Sequence, residues 1–173
     1  MPRRKELKGH IIKLKSTHNM FKRLTGKTKY MYFKGDTALQ VRDGGLVGIT
    51  DSGTITPLRN DSTDVPFGVA RRNDTTTDSS MVPVEVPVEE FVTWEVDVDS
   101  DGGLADSDVG QTCAIDTTGG NSVLAGDSCG MRIDVSDVTF PTVRILGRIS
   151  ATKAIVTLVK RAGTLIPDTG TIT

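Results

Sequence analysis

The sequence predicts an all-β protein: a small β-barrel or β-sandwich body carrying an extended basic N-terminal arm. Three observations predict it. Short apolar or alternating runs recur roughly every 8–15 residues, separated by Gly and Asp turns, with no convincing long helix. Val, Ile and Thr are abundant while aromatics make up only 5% of the chain, so the core is aliphatic and built from strand-forming residues. The net charge of -1 conceals a split: residues 1–35 carry 11 Lys/Arg and one acid, whereas residues 36–173 carry 10 Lys/Arg and 21 acids. The division that follows is a basic arm over 1–35, a β-rich domain over 36–162 and a C-terminal tail over 163–173.

The arm is more than a bare tail. His10–Leu14 and Lys29–Phe33 have the composition of short strands, and Ser16–Leu24 that of a helical turn with Met20, Phe21 and Leu24 on one side. Alone it buries too little apolar surface to be stable, so it is expected to order against a partner. Phe21, Tyr30, Tyr32 and Phe33 are the candidate anchors. Arg3, Arg4, Lys13, Lys15, Lys22 and Arg23 supply steering charge. An acidic protein surface, a nucleic acid or the acidic body of a neighbouring copy would each complement it. Aromatics interleaved with basic residues suit base stacking. No recognised nucleic-acid motif is present, so nucleic acid is not the expected partner.

The body opens at Gly35-Asp36. Thr37–Val41 and Leu46–Thr50 read as strands around the turn Arg42-Asp43-Gly44-Gly45, because Asp-Gly favours the positive φ that a tight hairpin needs. Asp51-Ser52-Gly53 is a second turn and Thr54–Leu58 a short strand. Phe67–Ala70 follows as another, and Arg71–Ser80 is a polar loop without an apolar residue.

Val82–Asp116 is the most structured stretch. Val82, Val84, Val86 and Val88 share one parity, and Glu85 and Glu89 share the other. Side chains alternate across a strand, so valines line one face and glutamates the opposite one. Val92, Trp94, Val96 and Val98 continue the even parity, with Trp94 as core anchor and Phe91 at a bulge or bend. Further strands are expected at Gly110–Asp116, Met131–Val135, Val143–Leu146 and Thr152–Lys160. The last has apolar residues on both faces, as a central strand does.

Asp97, Asp99, Asp101, Gly102 and Asp108 fit the spacing D-x-D-x-D-G-x5-[DE], in which alternate oxygens converge on calcium. Two features depart from a helix–loop–helix calcium site. The last ligand is Asp108, shorter than the Glu that closes such a shell, and the flanks are strands. The competing reading is an acidic hairpin turn in which Asp side chains cap backbone and glycine supplies positive φ. Calcium at Asp97, Asp99, Asp101 and Asp108 is therefore the minority expectation.

No catalytic constellation is evident, and an enzyme is not expected. The two histidines, His10 and His18, lie in the arm, away from any nucleophile–acid pair, and no phosphate-binding loop, dinucleotide fingerprint or zinc spacing occurs. Cys113 and Cys129 are compatible with one disulfide or with two buried thiols. No apolar run approaches the roughly 20 residues that span a bilayer, and the basic N-terminus lacks the apolar region of a secretory signal.

Gly35-Asp36-Thr37-Ala38-Leu39, Gly45-Leu46-Val47-Gly48-Ile49 and Pro66-Phe67-Gly68-Val69-Ala70, in that order, resemble the small β-domain of tailed-bacteriophage capsid decoration (cement) proteins. Thr93–Asp116 and Leu146–Val159 resemble stretches of other phage virion structural proteins. The resemblance spans roughly residues 36–160. It implies a structural protein on the exterior of the capsid in the virion, often a homotrimer, which bridges neighbouring copies of the major capsid protein. A head–tail junction or tail protein, and a calcium-dependent β-rich binding module, are the alternatives. On the cement reading, removal of residues 1–34 is expected to leave a folded body that no longer decorates heads.

Overall fold

A computed structural model describes residues 21–35, 41–58, 65–73, 81–89, 91–99, 103–116 and 130–159. Among them the chain forms eleven strands: β1 (Lys22–Thr25), β2 (Thr28–Phe33), β3 (Leu46–Ile49), β4 (Ile55–Pro57), β5 (Gly68–Ala70), β6 (Val82–Pro87), β7 (Thr93–Asp97), β8 (Thr112–Asp116), β9 (Arg132–Asp134), β10 (Val143–Ser150) and β11 (Lys153–Leu158). The one helical element among these residues is a single 3-10 turn at Asp106–Asp108. None of their helices is long and apolar enough to cross a membrane.

The strands make two antiparallel sheets. One has six strands in the order β1-β7-β11-β10-β8-β9, the other five in the order β2-β6-β5-β3-β4. The all-β expectation holds, in the form of a sandwich-like body. Each sheet curls until it meets itself at one point. The Ile55 N–H donates to the Lys34 carbonyl at 2.9 Å, beside a Gly35–Ile55 bridge, and the Asp99 N–H donates to the Ile133 carbonyl at 2.9 Å, beside a Val98–Ile133 bridge. Among the described residues neither contact extends into a ladder.

The period-two pattern explains the main core. Trp94, Val96 and Val98 from the β7 run, Val143 and Ile145 of β10, and Ala154 and Val156 of β11 bury one face of the six-stranded sheet. Leu46 of β3 and Val69 of β5 meet them from the five-stranded sheet. Each fully buried Val, Leu or Ile side chain contributes roughly 1.5–3 kcal/mol relative to exposure. The other face of the five-stranded sheet is also buried, by Val47, Ile55, Phe67, Ala70, Val82, Val84 and Val86, with Met31 and Phe33 against them. The sheet is thus covered on both faces. As expected, β11 is central, between β7 and β10.

The even parity of Val82–Val98 is continuous, but its two halves serve different sheets. β6 lies in the five-stranded sheet and β7 in the six-stranded one, and the chain crosses between them at Val88–Val92. β1 and β2 make the same crossing beside it, β1 pairing with β7 and β2 with β6. The crossings are tied by the Val88 N–H to the Lys27 carbonyl at 3.1 Å. Gly26 turns there with φ of +88°, and a Cβ would stand 2.8 Å from Val92 Cα. Only glycine takes that turn without strain.

Residues 21–35 are therefore part of the body, which corrects their assignment to a separable arm. Phe21 is buried in the main core, and its N–H donates to the Gly44 carbonyl at 3.0 Å. Lys22–Leu24 is extended in β1, where a helical turn was expected, because pairing with β7 supplies more backbone hydrogen bonds than one isolated turn. Removing residues 1–34 would take Phe21 and two strands out of the fold. β3 lies between β5 and β4, and the partner strand expected for it at Thr37–Val41 falls outside the described residues except for Val41. Residues 36–40 lie outside the described residues, as do His10–Leu14 and the C-terminal tail at 163–173.

Candidate partner-binding edge

The chemistry with the greatest consequence sits where the crossings meet. Glu85 is in the middle of β6 and directly opposite both Tyr30 of β2 and Val69 of β5. Its face of the sheet turns toward the six-stranded sheet, and its side chain is only 3% exposed. A buried carboxylate needs partners, and each oxygen has one hydrogen bond and one ion-pair contact. Oε1 accepts from Thr28 Oγ1 at 2.8 Å and lies 2.9 Å from Arg23 Nε. Oε2 accepts from Arg71 Nε at 2.7 Å and lies 2.6 Å from its Nη2. The Arg71 guanidinium also lies 5.6 Å from the Trp94 ring centroid, a cation–π contact. Glu85 thus joins β1, β2 and the end of β5 around the tryptophan.

This lock holds β2 rigidly at the edge of its sheet, and β2 carries an exposed aromatic pair. Tyr30 and Tyr32 are 56% and 61% exposed. Met31 and Phe33 alternate with them and face inward, Phe33 meeting Phe67 edge-on with ring centroids 5.3 Å apart. Backbone groups alternate too. The Lys27 carbonyl faces β6, accepting from Val88, whereas the Lys34 carbonyl faces outward, accepting from Ile55. By that alternation Thr28, Tyr30 and Tyr32 direct their N–H and C=O groups away from β6. The edge therefore offers three backbone donors, three acceptors and two tyrosines, with Lys27, Lys29 and Lys34 around them.

The anchors expected from the sequence divide accordingly. Tyr30 and Tyr32 stand at the surface. Phe21 is fully buried in the main core, and Phe33 is half-buried against the second. Arg23 is turned to Glu85, and Lys22 stands exposed opposite Glu95. Arg3, Arg4, Lys13 and Lys15 lie outside the described residues. Glu85 and Arg71 were not singled out by sequence. The one available signal was Arg71 immediately following an apolar strand.

The aspartate loop is not assembled as a cation shell in the described residues. Asp97 Oδ1 lies 3.1 Å from Lys153 Nζ and Asp99 Oδ1 lies 3.5 Å from Arg132 Nη1. Asp108 Oδ2 accepts the Ala105 N–H at 2.7 Å, closing the 3-10 turn. Asp101 is outside the described residues. Asp99 and Asp108 do line a cavity of about 310 Å³ together with Asp134. Asp134, however, accepts from the backbone and hydroxyl of Ser136 at 2.9 and 2.7 Å. No group of three or more His, Cys, Asp or Glu among the described residues is arranged to hold a metal ion. Cys113 is a buried free thiol, pushed up to about 12 by burial and by Asp134 nearby, and so stays protonated and unreactive at neutral pH. Cys129 lies outside the described residues.

Fold and edge together define an all-β, sandwich-like body with a rigid aromatic–basic edge strand. The chain matches no protein-family model, no curated protein and no solved structure.

Proposed function

We propose that the protein is a structural binding module that attaches to the outer surface of a phage capsid and stabilises the shell by bridging neighbouring capsid subunits. The observation that carries a docking role is the exposure of Tyr30 and Tyr32 on a strand locked from beneath by Glu85. Rigid, exposed aromatics bury large areas on binding at small entropic cost. The capsid setting rests on the resemblance of residues 36–160 to decoration proteins. Residues 1–20 add six Lys/Arg against one Glu, and these extend the basic character of the edge.

The mechanism follows from linkage. A module that binds the assembled lattice and not free subunits shifts the equilibrium toward the intact shell. Contacts through the edge strand and through the basic N-terminal residues would then act together, since a second contact made by a tethered group forms at high effective concentration. Electron microscopy of empty shells incubated with the full chain tests this. Shells should be decorated by wild type, and decoration should fall in a Tyr30→Ala/Tyr32→Ala variant. It should fall further when Arg3, Arg4, Lys13 and Lys15 are also changed to Glu. Full occupancy by the combined variant would overturn the assignment.

A further inference from the structure

The edges among the described strands are not alike. β1 carries an irregularity between Arg23 and Thr25. β4 is three residues long, ends in Pro57 and is met by Lys34–Gly35. β9 is three residues long and is met by Val98. Bulges, brevity, proline and local cover are the devices that keep sheet edges from recruiting a further strand. Within its six residues, Thr28–Phe33, β2 has none of these and runs in unbroken register with β6; β4 meets the chain only past that end, where Ile55 takes the Lys34 carbonyl. What it carries is positive charge, because residues 27–34 hold Lys27, Lys29 and Lys34 and no acid; Lys27 is already paired with Glu89 at 3.4 Å, so Lys29 and Lys34 supply the charge at the edge.

From this contrast we propose that the β2 edge accepts an extended acidic segment of a partner protein as an added strand. The outward backbone groups of Thr28, Tyr30 and Tyr32 would make the ladder. Tyr30 and Tyr32 would pack over alternate side chains of the incoming strand, and the lysines would pair with its carboxylates. The charge selects the occupant. Two β2 edges paired antiparallel would bring lysine-rich strands together, so self-pairing through β2 is disfavoured, as is any basic segment. The lysines that deter self-pairing are those that attract an acidic strand. This deepens the docking role proposed above by giving the partner's chemistry, and rests on that role only for its biological setting.

The test is a titration of the full chain with an end-blocked synthetic peptide of about eight residues alternating Val and Glu, followed by amide NMR. Binding should protect the Thr28, Tyr30 and Tyr32 amides from exchange. Tyr30→Pro removes an outward N–H and leaves the ladder to β6 in place. It should bind about tenfold more weakly than Tyr30→Ala, which keeps that N–H. A peptide N-methylated at alternate residues on one edge repeats the test with wild-type protein and so avoids any folding defect. One of its two methylation registers should abolish binding. A Val–Lys peptide should not bind. The proposal is overturned by absence of binding at millimolar peptide, by equal affinity of Tyr30→Pro and Tyr30→Ala together with tolerance of both methylation registers, or by equal binding of the Val–Lys peptide. It is also overturned if a single-stranded oligonucleotide outcompetes the acidic peptide at these amides, or if the chain alone dimerises through them. None of these results depends on decorated shells, so the two proposals fail separately.

Discussion

Glu85 and Glu95 lie one strand apart in the sequence, and both face basic side chains, yet they do different work. The Glu85 side chain is 3% exposed and is shared by Arg23, Arg71 and Thr28. The Glu95 side chain is 23% exposed, on the outer face of the six-stranded sheet, and pairs at 2.9 Å with Lys153, itself 45% exposed. Water can replace either partner of the outer pair. It cannot reach the inner carboxylate, which the two sheets leave only 3% exposed. The same pairing chemistry is therefore structural in one place and nearly dispensable in the other.

The largest effect should come from removing the inner carboxylate. Glu85→Ala leaves Arg71, largely but not fully buried, without a counter-charge, and the expected loss is about 3–5 kcal/mol in urea unfolding. Thr28 and Arg23 lose an acceptor at once, so β1 and β2 should be the first elements to gain hydrogen exchange. A loss below about 1 kcal/mol would place Glu85 in the same category as Glu95. The two arginines then grade the lock. Arg71, 20% exposed and stacked on Trp94, should cost about 2–3 kcal/mol as Arg71→Ala. Arg23, 43% exposed, should cost less than about 1 kcal/mol as Arg23→Ala. Equal costs would mean that the cluster is held by charge alone and owes nothing to burial.

Between these in size lies the corner that delivers Arg23 and Thr28 to Glu85. Gly26→Ala places a Cβ 2.8 Å from Val92 Cα and 3.1 Å from the Phe91 carbonyl at a φ of +88°. Left-handed strain alone costs about 1–3 kcal/mol, and the backbone contact cannot relax by rotating a side chain. Combined with Glu85→Ala, the loss should be smaller than the sum of the two, since both act on the same crossing. Strict additivity would separate the corner from the lock.

The contrast between the two glutamates also marks what could be read in the sequence. Alternation showed that Val82, Val84 and Val86 share a face opposite Glu85, and that Trp94 sits in the core; both are geometric consequences of a strand. Alternation cannot tell whether a face is covered. Glu85 is buried because β6 is an inner strand and the second sheet closes over it, which depends on pairings distant in sequence. The β1–β2 crossing was obscured differently. Lys22, Arg23, Lys27, Lys29 and Lys34 dominate its composition, while its contribution to the fold is Phe21, a backbone ladder and the inward pair Met31 and Phe33. The alternation Tyr30-Met31-Tyr32-Phe33 does carry the inside–outside pattern, but four aromatic or apolar residues in succession conceal which parity is buried. The aspartate spacing was legible as a motif and uninformative as a site, because spacing does not reveal that Asp97, Asp99 and Asp108 each have another partner.

The smallest effect belongs to the outer pair, and pH distinguishes it. The hydrogen bond from Lys153 holds the Glu95 carboxyl below its ordinary value of 4.5, against the opposing effect of partial burial. The lowered value means that the pair's contribution is complete above about pH 4.5 and disappears as pH falls through the folded-state value. Hydrogen bonds to Glu95 and Asp97 raise Lys153 above its ordinary 10.5, so its contribution is present at neutral pH and is lost only as pH rises past that raised value. Lys153→Met should therefore cost less than about 1 kcal/mol at neutral pH, and less again in high salt. The difference from wild type should shrink toward zero at an acid pH low enough to protonate Glu95 in both proteins, below its lowered folded-state value. Urea unfolding of the two proteins at both pH values makes the measurement. A difference that persists undiminished at the lower pH would show that Lys153 acts through the packing of its methylene stem on β7, and the outer face would then be held, like the inner one, by burial.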